Sequence, residues 1–138
     1  MKRFLLDTHT FIWFLTEDKK LNNDIAESIV YYQNQYFVSV SALHEIVTKQ
    51  TVKKLDLSIN IVKISKIAEK YNIDILPIKI AHLETMSDLS VPVINGKQHL
   101  DPFDRIMIAQ AICEKLTFIS ADRKFPYYKD KNFKLLQY

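Results

Sequence analysis

Short apolar runs alternate with longer stretches whose apolar residues recur every three or four positions. The runs Arg3–Leu6, Tyr36–Val40, Ile73–Leu76, Leu116–Ser120 and Phe133–Leu136 have the length and β-branched or aromatic content of buried strands. Between them the spacing turns helical. A helix is expected from Thr8 or Thr10 to about Leu15. A second starts near Asn22/Asn23, good capping residues, and carries Ile25, Ala26, Ile29 and Val30 on one stripe. A third starts at Ser41 with Ala42, Leu43, Ile46 and Val47 on one side, a fourth covers Ile59 to Tyr71, and a fifth runs from Ile78 to about Asp88 behind Pro77. Asp101-Pro102 opens the sixth, with proline where its missing N–H does no harm. Ile106, Met107, Ile108, Ala109, Ala111, Ile112 and Cys113 make that helix apolar almost all round, so it should lie at the centre of the molecule. Ser90 to Leu100, around Asn95-Gly96, reads as a loop. Strands alternating with helices predict an α/β fold with a central, mainly parallel sheet flanked by helices, built as one domain over residues 1–138.

Composition narrows the chemistry more than the fold. The single glycine, Gly96, excludes the glycine-rich loops that cradle phosphates and argues against an all-β fold with many tight hairpins. The single cysteine, Cys113, excludes an internal disulfide framework and suits a reducing cytosol. A net charge of +3 is compatible with a nucleic-acid partner without demanding one. Asp7 and His9 interrupt the first apolar run too early for a signal peptide, and no run approaches the roughly 18 apolar residues of a membrane span. A cytoplasmic protein with no membrane partner is expected.

Four carboxylates stand where such a sheet would gather them. Asp7 directly follows the first strand and Asp122 follows "LTFIS". Glu45 lies one turn into the helix after the second strand, and Asp104 in the first turn of the apolar helix, in "HLDPFDRIMIAQA". Ligands of parallel sheets bind beyond the carboxyl ends of the strands, where the following helices also begin. Four converging carboxylates repel one another unless a cation neutralises them, and hard oxygen donors suit Mg²⁺ or Mn²⁺. That chemistry points to metal-assisted hydrolysis of a phosphodiester.

Each residue also has an ordinary explanation. Asp101 and Asp104 can cap a helix, Glu45 can be a solvated helix residue, and Asp122 can belong to a turn. Asp7 is harder to dismiss, because burying a carboxylate beside an apolar run is costly without a partner. His9, His44 and His82 lack zinc spacing and read as packing or surface residues; His99 stands apart because it precedes the acidic pair. Phe11, Trp13 and Phe14 read as core or an oligomer face. Lys97, Arg105, Arg123 and Lys124 lie near the acids in sequence and are candidates to contact phosphates.

With "LLDTHTFIW", "SALHEI", "HLDPFDRIMIAQA" and "TFISAD" in this order, the chain resembles the PIN-domain ribonucleases, and more closely the VapC-type toxins of toxin–antitoxin pairs. The resemblance implies a homodimer with Mg²⁺- or Mn²⁺-dependent endoribonuclease activity on RNA. It places the metal-binding acids at Asp7 and Asp104, with Glu45 and Asp122 completing the catalytic site. Asp101 matches as a cap or supporting residue, and Thr8, Thr10 and Ser120 stand where small hydroxyl residues support the acids. It further implies a protein antitoxin whose tail covers the acidic cleft. Two other readings stay open: a non-catalytic RNA- or partner-binding module, and phosphoryl transfer through an aspartyl intermediate at Asp7. The latter generally wants a second aspartate two residues on, where this chain has His9.

Overall fold

The computed structural model describes residues 1–138. Its centre is a five-stranded parallel sheet of β1 (Arg3–Leu6), β2 (Gln35–Ser39), β3 (Ile73–Leu76), β6 (Thr117–Ser120) and β7 (Lys134–Gln137) in the order β3-β2-β1-β6-β7. β1 sits in the middle because it is the most apolar strand: Leu5 and Leu6 are fully buried, as are Val38 of β2 and Phe118 of β6 beside it. Strands covered on both faces read as continuous apolar runs rather than alternating ones, and these do. Removing each such side chain from water contributes about 1.5–3 kcal/mol.

Six helices flank the sheet: α1 (Thr8–Leu15), α2 (Asn23–Val30), α3 (Val40–Thr51), α4 (Ile61–Lys70), α5 (Ile80–Ser87) and α6 (Pro102–Cys113). Local capping chemistry sets most of their starts. Asn22 accepts from Asp24 and Ile25 N–H, Asn60 from Lys63 N–H, and Asp101 from Phe103 and Asp104 N–H. α6 is the central helix the sequence predicted, with Arg105 to Ala111 all buried, and it packs against α5 and α3. No helix is long and apolar enough to cross a membrane.

Two sequence expectations need correction. Pro77 does not open α5; the helix starts at Ile80, where His82 Nδ1 accepts the Lys79 N–H. The predicted loop at Ser90–Leu100 contains an antiparallel hairpin, β4 (Val93–Ile94) with β5 (Lys97–Gln98). Its turn is Asn95-Gly96, with φ of 52° and 77°, a pair of positive values that fits a two-residue hairpin turn.

Register decides where the site falls. Leu6 pairs with Val38 on one side and Ile119 on the other, so Asp7, Ser39 and Ser120 follow at the same edge. Asp7 N–H still donates to Ile119 C=O at 3.1 Å, which fixes the backbone up to the acid itself.

Candidate active site

Asp7 ends β1 and caps α1. Its Oδ1 accepts the Thr10 N–H at 2.7 Å, and its Oδ2 accepts the Ser120 hydroxyl. The carboxylate is only 3 % exposed, and burial raises its pKa while the bonds from Ser120 and Thr10 pull it back. Ser120 is oriented in turn, since its Oγ also accepts the Asp122 N–H at 3.0 Å. The Thr10 hydroxyl also bonds Tyr138 OH at 2.8 Å.

Glu45 approaches from α3. Thr8 Oγ1 donates to its Oε1 at 2.8 Å, and Lys49 Nζ lies 2.7 Å from its Oε2. Lys49 is a site residue that sequence reading missed, although its place four residues beyond Glu45 on one helix face was the available signal.

α6 brings the third group. Asp101 caps the helix and Asp104 sits in its first turn, with His99 Nε2 3.2 Å from Asp104 Oδ2. The Asp104 carboxyl is pushed up to about 8, first by burial and then by the charges of Asp101, Glu45 and Asp122. That upward push is the electrostatic mark of carboxylates crowded into one field. Asp122 completes the edge, its Oδ1 accepting the Lys124 N–H at 2.9 Å.

Asp7, Thr8, Glu45, Asp101, Asp104 and Asp122 line one cleft of about 90 Å³, with Lys49, Lys124, His9 and Phe125 around them. Thr10, Ser120 and His99 stand behind it, each bonded to an acid. Arg105 is not brought to the cleft. It is buried and donates to Ser90 C=O at 2.8 Å and to Tyr128 OH at 3.1 Å, so a phosphate-contacting role at this position does not fit. Lys97 and Arg123 are exposed outside the lining. A roomier groove of about 460 Å³ lies elsewhere, among Trp13, Phe14, Leu21, Val30, Ile67 and Tyr71; it is mostly apolar and holds only two acids, Glu17 and Asp18, beside Lys19 and Lys70.

The cleft is a lined depression rather than a closed ligand cage. The one trio of His, Cys, Asp or Glu with ligand atoms all within 4.8 Å of one another is His82, Cys113 and Glu114, away from the cleft. Both nitrogens of His82 are already engaged: Nδ1 accepts the Lys79 N–H at 3.0 Å, so Nε2 carries the proton and donates to Glu114 Oε2 at 2.7 Å. That arrangement is a hydrogen-bonded staple between α5 and the end of α6. The cleft's acids offer hard carboxylate oxygens, and the Asp104 carboxyl is raised first by burial and then by the neighbouring Asp101, Glu45 and Asp122. Such a donor set fits a divalent cation of the Mg²⁺ or Mn²⁺ kind.

No curated protein sequence matches the chain. Solved structures share its fold over nearly the full length. A chain of the VapBC2 complex from Rickettsia felis, bound to a DNA fragment from its promoter, superposes with a TM-score of 0.72 at 14% identity, covering 99% of this chain and 98% of that one. A chain of DNA-bound VapBC from Salmonella typhimurium gives 0.68 at 14% identity over 99% and 98%. VapBC-5 from Mycobacterium tuberculosis, of the VapBC family of toxin–antitoxin systems, gives 0.60 at 17% identity over 100% of both. The family model for the PIN domain matches residues 4–131, the span that runs from the first strand through the acidic edge, and the chain belongs to the PIN-domain family.

Proposed function

We propose that this protein is a divalent-metal-dependent endoribonuclease that acts as the toxin of a toxin–antitoxin pair. The observation that carries the reading is the convergence of Asp7, Glu45, Asp101, Asp104 and Asp122, from four separate elements and loops, on one cleft at the carboxyl edge of the sheet. PIN-domain membership and structural likeness to toxin–antitoxin complexes support the same class.

Asp7, Glu45, Asp104 and Asp122 are the residues that would hold Mg²⁺ or Mn²⁺. A bound ion of this kind acidifies a coordinated water and offsets charge building on a phosphate. The chain's own part is orientation: Ser120 and Thr10 fix the Asp7 carboxylate, Thr8 fixes one oxygen of Glu45, and Asp101 holds the start of α6 under Asp104. Lys124 supplies positive charge at the cleft for an RNA phosphate. Lys49 already neutralises Glu45, which marks the place where a basic side chain from an antitoxin tail would compete. Exposed apolar side chains around α5 and the hairpin, Ile80 at 79% and Val93 at 60%, suit a homodimer. The working compartment of this reading is the cytoplasm.

The test is incubation of purified protein with RNA and Mg²⁺ or Mn²⁺. Cleavage is expected to stop with EDTA and in Asp7→Asn. Cleavage that persists in either case sinks the proposal. Metal binding without cleavage would favour a non-catalytic RNA- or partner-binding module.

A further inference from the structure

We propose that the crossover from β6 to β7 is a binding track for the RNA strand as it leaves the acidic cleft, with Tyr127 stacked on an unpaired base and Arg123, Lys124, Lys129 and Lys131 on its phosphates. The inference deepens the nuclease reading and rests on it for the identity of the polymer.

Topology leads this segment out of the cleft. β6 and β7 run parallel, Thr117 pairing with Lys134 and Ser120 with Gln137. The chain between them therefore starts at the carboxyl edge, beside Asp122, and ends at the opposite edge, a distance of about 13 Å for strands of this length. β7 is the outermost strand on its side, so the crossover follows the margin of the molecule. From Arg123 to Lys134 it carries five cations, Arg123, Lys124, Lys129, Lys131 and Lys134, all exposed, against one acid, Asp130. That local excess is larger than the +3 of the whole chain. None of the five is in an ion pair; the molecule's ion pairs are Lys49 with Glu45 and the two histidine–acid pairs. Asp130 is turned to Ser90, whose N–H it accepts at 2.8 Å and whose hydroxyl it also accepts. A line of free cations that begins at a phosphodiester site is the electrostatic footprint of a polyanion.

The first turn of the crossover adds an aromatic ring to that line. Phe125–Tyr127 is a 3₁₀ turn with Lys124 at its N-cap, and side chains three apart in such a turn eclipse one another. Phe125 and Tyr128 form the buried pair: the Phe125 ring centre lies 4.7 Å from that of Phe118, and Tyr128 OH accepts from Arg105 at 3.1 Å. Lys124 and Tyr127 form the outward pair. Lys124 lines the cleft, and Tyr127 N–H donates to Lys124 C=O at 3.1 Å, which sets the two about 6 Å apart along the turn. Pro126 between them fixes its own backbone angle and stiffens the step. The Tyr127 side chain is thus held on a rigid turn, yet it stays 50 % exposed. A base can cover such a ring only when it is unpaired, because bases in a duplex already cover one another's faces.

The test is fluorescence anisotropy with a short labelled single-stranded RNA in EDTA over a salt series, alongside Mg²⁺-supported cleavage kinetics. Lys129→Glu with Lys131→Glu should weaken binding by about tenfold or more and flatten the salt dependence, the mark of lost phosphate contacts. Tyr127→Ala should weaken binding by about tenfold with the salt slope unchanged, and Tyr127→Phe should bind as wild type. In cleavage, both losses should fall on KM and leave kcat within about twofold. Lys63→Glu with Lys66→Glu makes the same charge change on α4, which packs on the opposite edge strand, and should cost no more than about twofold at physiological salt. A loss that the α4 variant reproduces overturns the track, as does a Tyr127→Ala protein that binds as wild type. A protein that cuts RNA with KM unmoved in every variant removes the track and keeps the nuclease. Binding that follows the expected pattern in a protein that cuts no RNA keeps the track and removes the nuclease.

Discussion

α6 carries a histidine–carboxylate pair at each end, and the two behave oppositely. Near its start, His99 lies 3.2 Å from Asp104; at its C-cap, His82 lies 2.7 Å from Glu114. About 10 residues of helix put some 15 Å between them. Glu114 is held below the usual carboxylate range, chiefly by the His82 bond, with Lys79 and Arg3 adding positive charge. Asp104 is pushed the other way, to about 8, because it is more deeply buried and its neighbours are acids. The histidine at Glu114 is fully buried and stapled on both nitrogens, so that pair holds helices together. Identical pair chemistry meets complementary charge at Glu114 and a crowd of acids at Asp104. Functional sites commonly store such unfavourable electrostatics.

The comparison breaks most sharply on activity. Asp104→Asn should lower RNA cleavage about 10³-fold, the loss expected when several kcal/mol of metal-borne charge stabilisation go. Glu114→Gln should leave it within about twofold. Equal losses in a cleavage assay would erase the distinction between the two ends. Stability should divide them the other way. His82→Ala strips a buried ring bonded on both sides and should cost about 2–3 kcal/mol in urea unfolding, more than His99→Ala. The reverse ranking would make His99 the structural member.

Metal binding then sharpens the contrast by pH. With Asp104 protonated below about 8, Mg²⁺ must displace that proton, so affinity should climb about tenfold per pH unit and flatten above it. Calorimetry from pH 6 to 9 reads the slope; Glu114→Gln should preserve it and Asp104→Asn should abolish it. The smallest effect is on the metal-free fold. A carboxyl whose pKa is raised on folding gives stability that is complete at acid pH and lost as pH rises through its folded value. Asp104→Asn should therefore stabilise the protein by about 1 kcal/mol at pH 8, with a gain that shrinks toward pH 5. Glu114, lowered on folding, contributes above its ordinary value and loses that contribution as pH falls, so Glu114→Gln should be destabilising at neutral pH and progressively neutral in acid. Parallel melting curves for the two variants across pH would contradict this assignment.

Much of the fold is legible residue by residue. Apolar runs gave all five sheet strands to within a residue or so at their ends, and Asn22 and Asp101 announce helix starts through local hydrogen bonds that need no tertiary partner. The fourth helix, expected from Ile59, instead starts at Ile61 behind its cap Asn60. α5 was misplaced because its start depends on His82 Nδ1, a contact outside ordinary capping chemistry. The hairpin at Asn95-Gly96 was misjudged because so short a pair of strands carries almost no alternation to read. Among site residues, the acids and their hydroxyl supports stand at legible strand and helix ends. Arg105 was misjudged because charge beside an acid in sequence says nothing about which way a buried helix turns it.

The order of apolar and polar residues, taken alone, determined a parallel sheet and put Asp7 and Asp122 at its carboxyl edge, since strand length and side-chain period are local properties. Only the tertiary structure decided that Lys49 grips Glu45, that His99 and not His82 serves the acidic cleft, and that Arg105 faces Tyr128. Those outcomes depend on burial and on the charge of neighbours from other elements, and no single segment of the chain contains either.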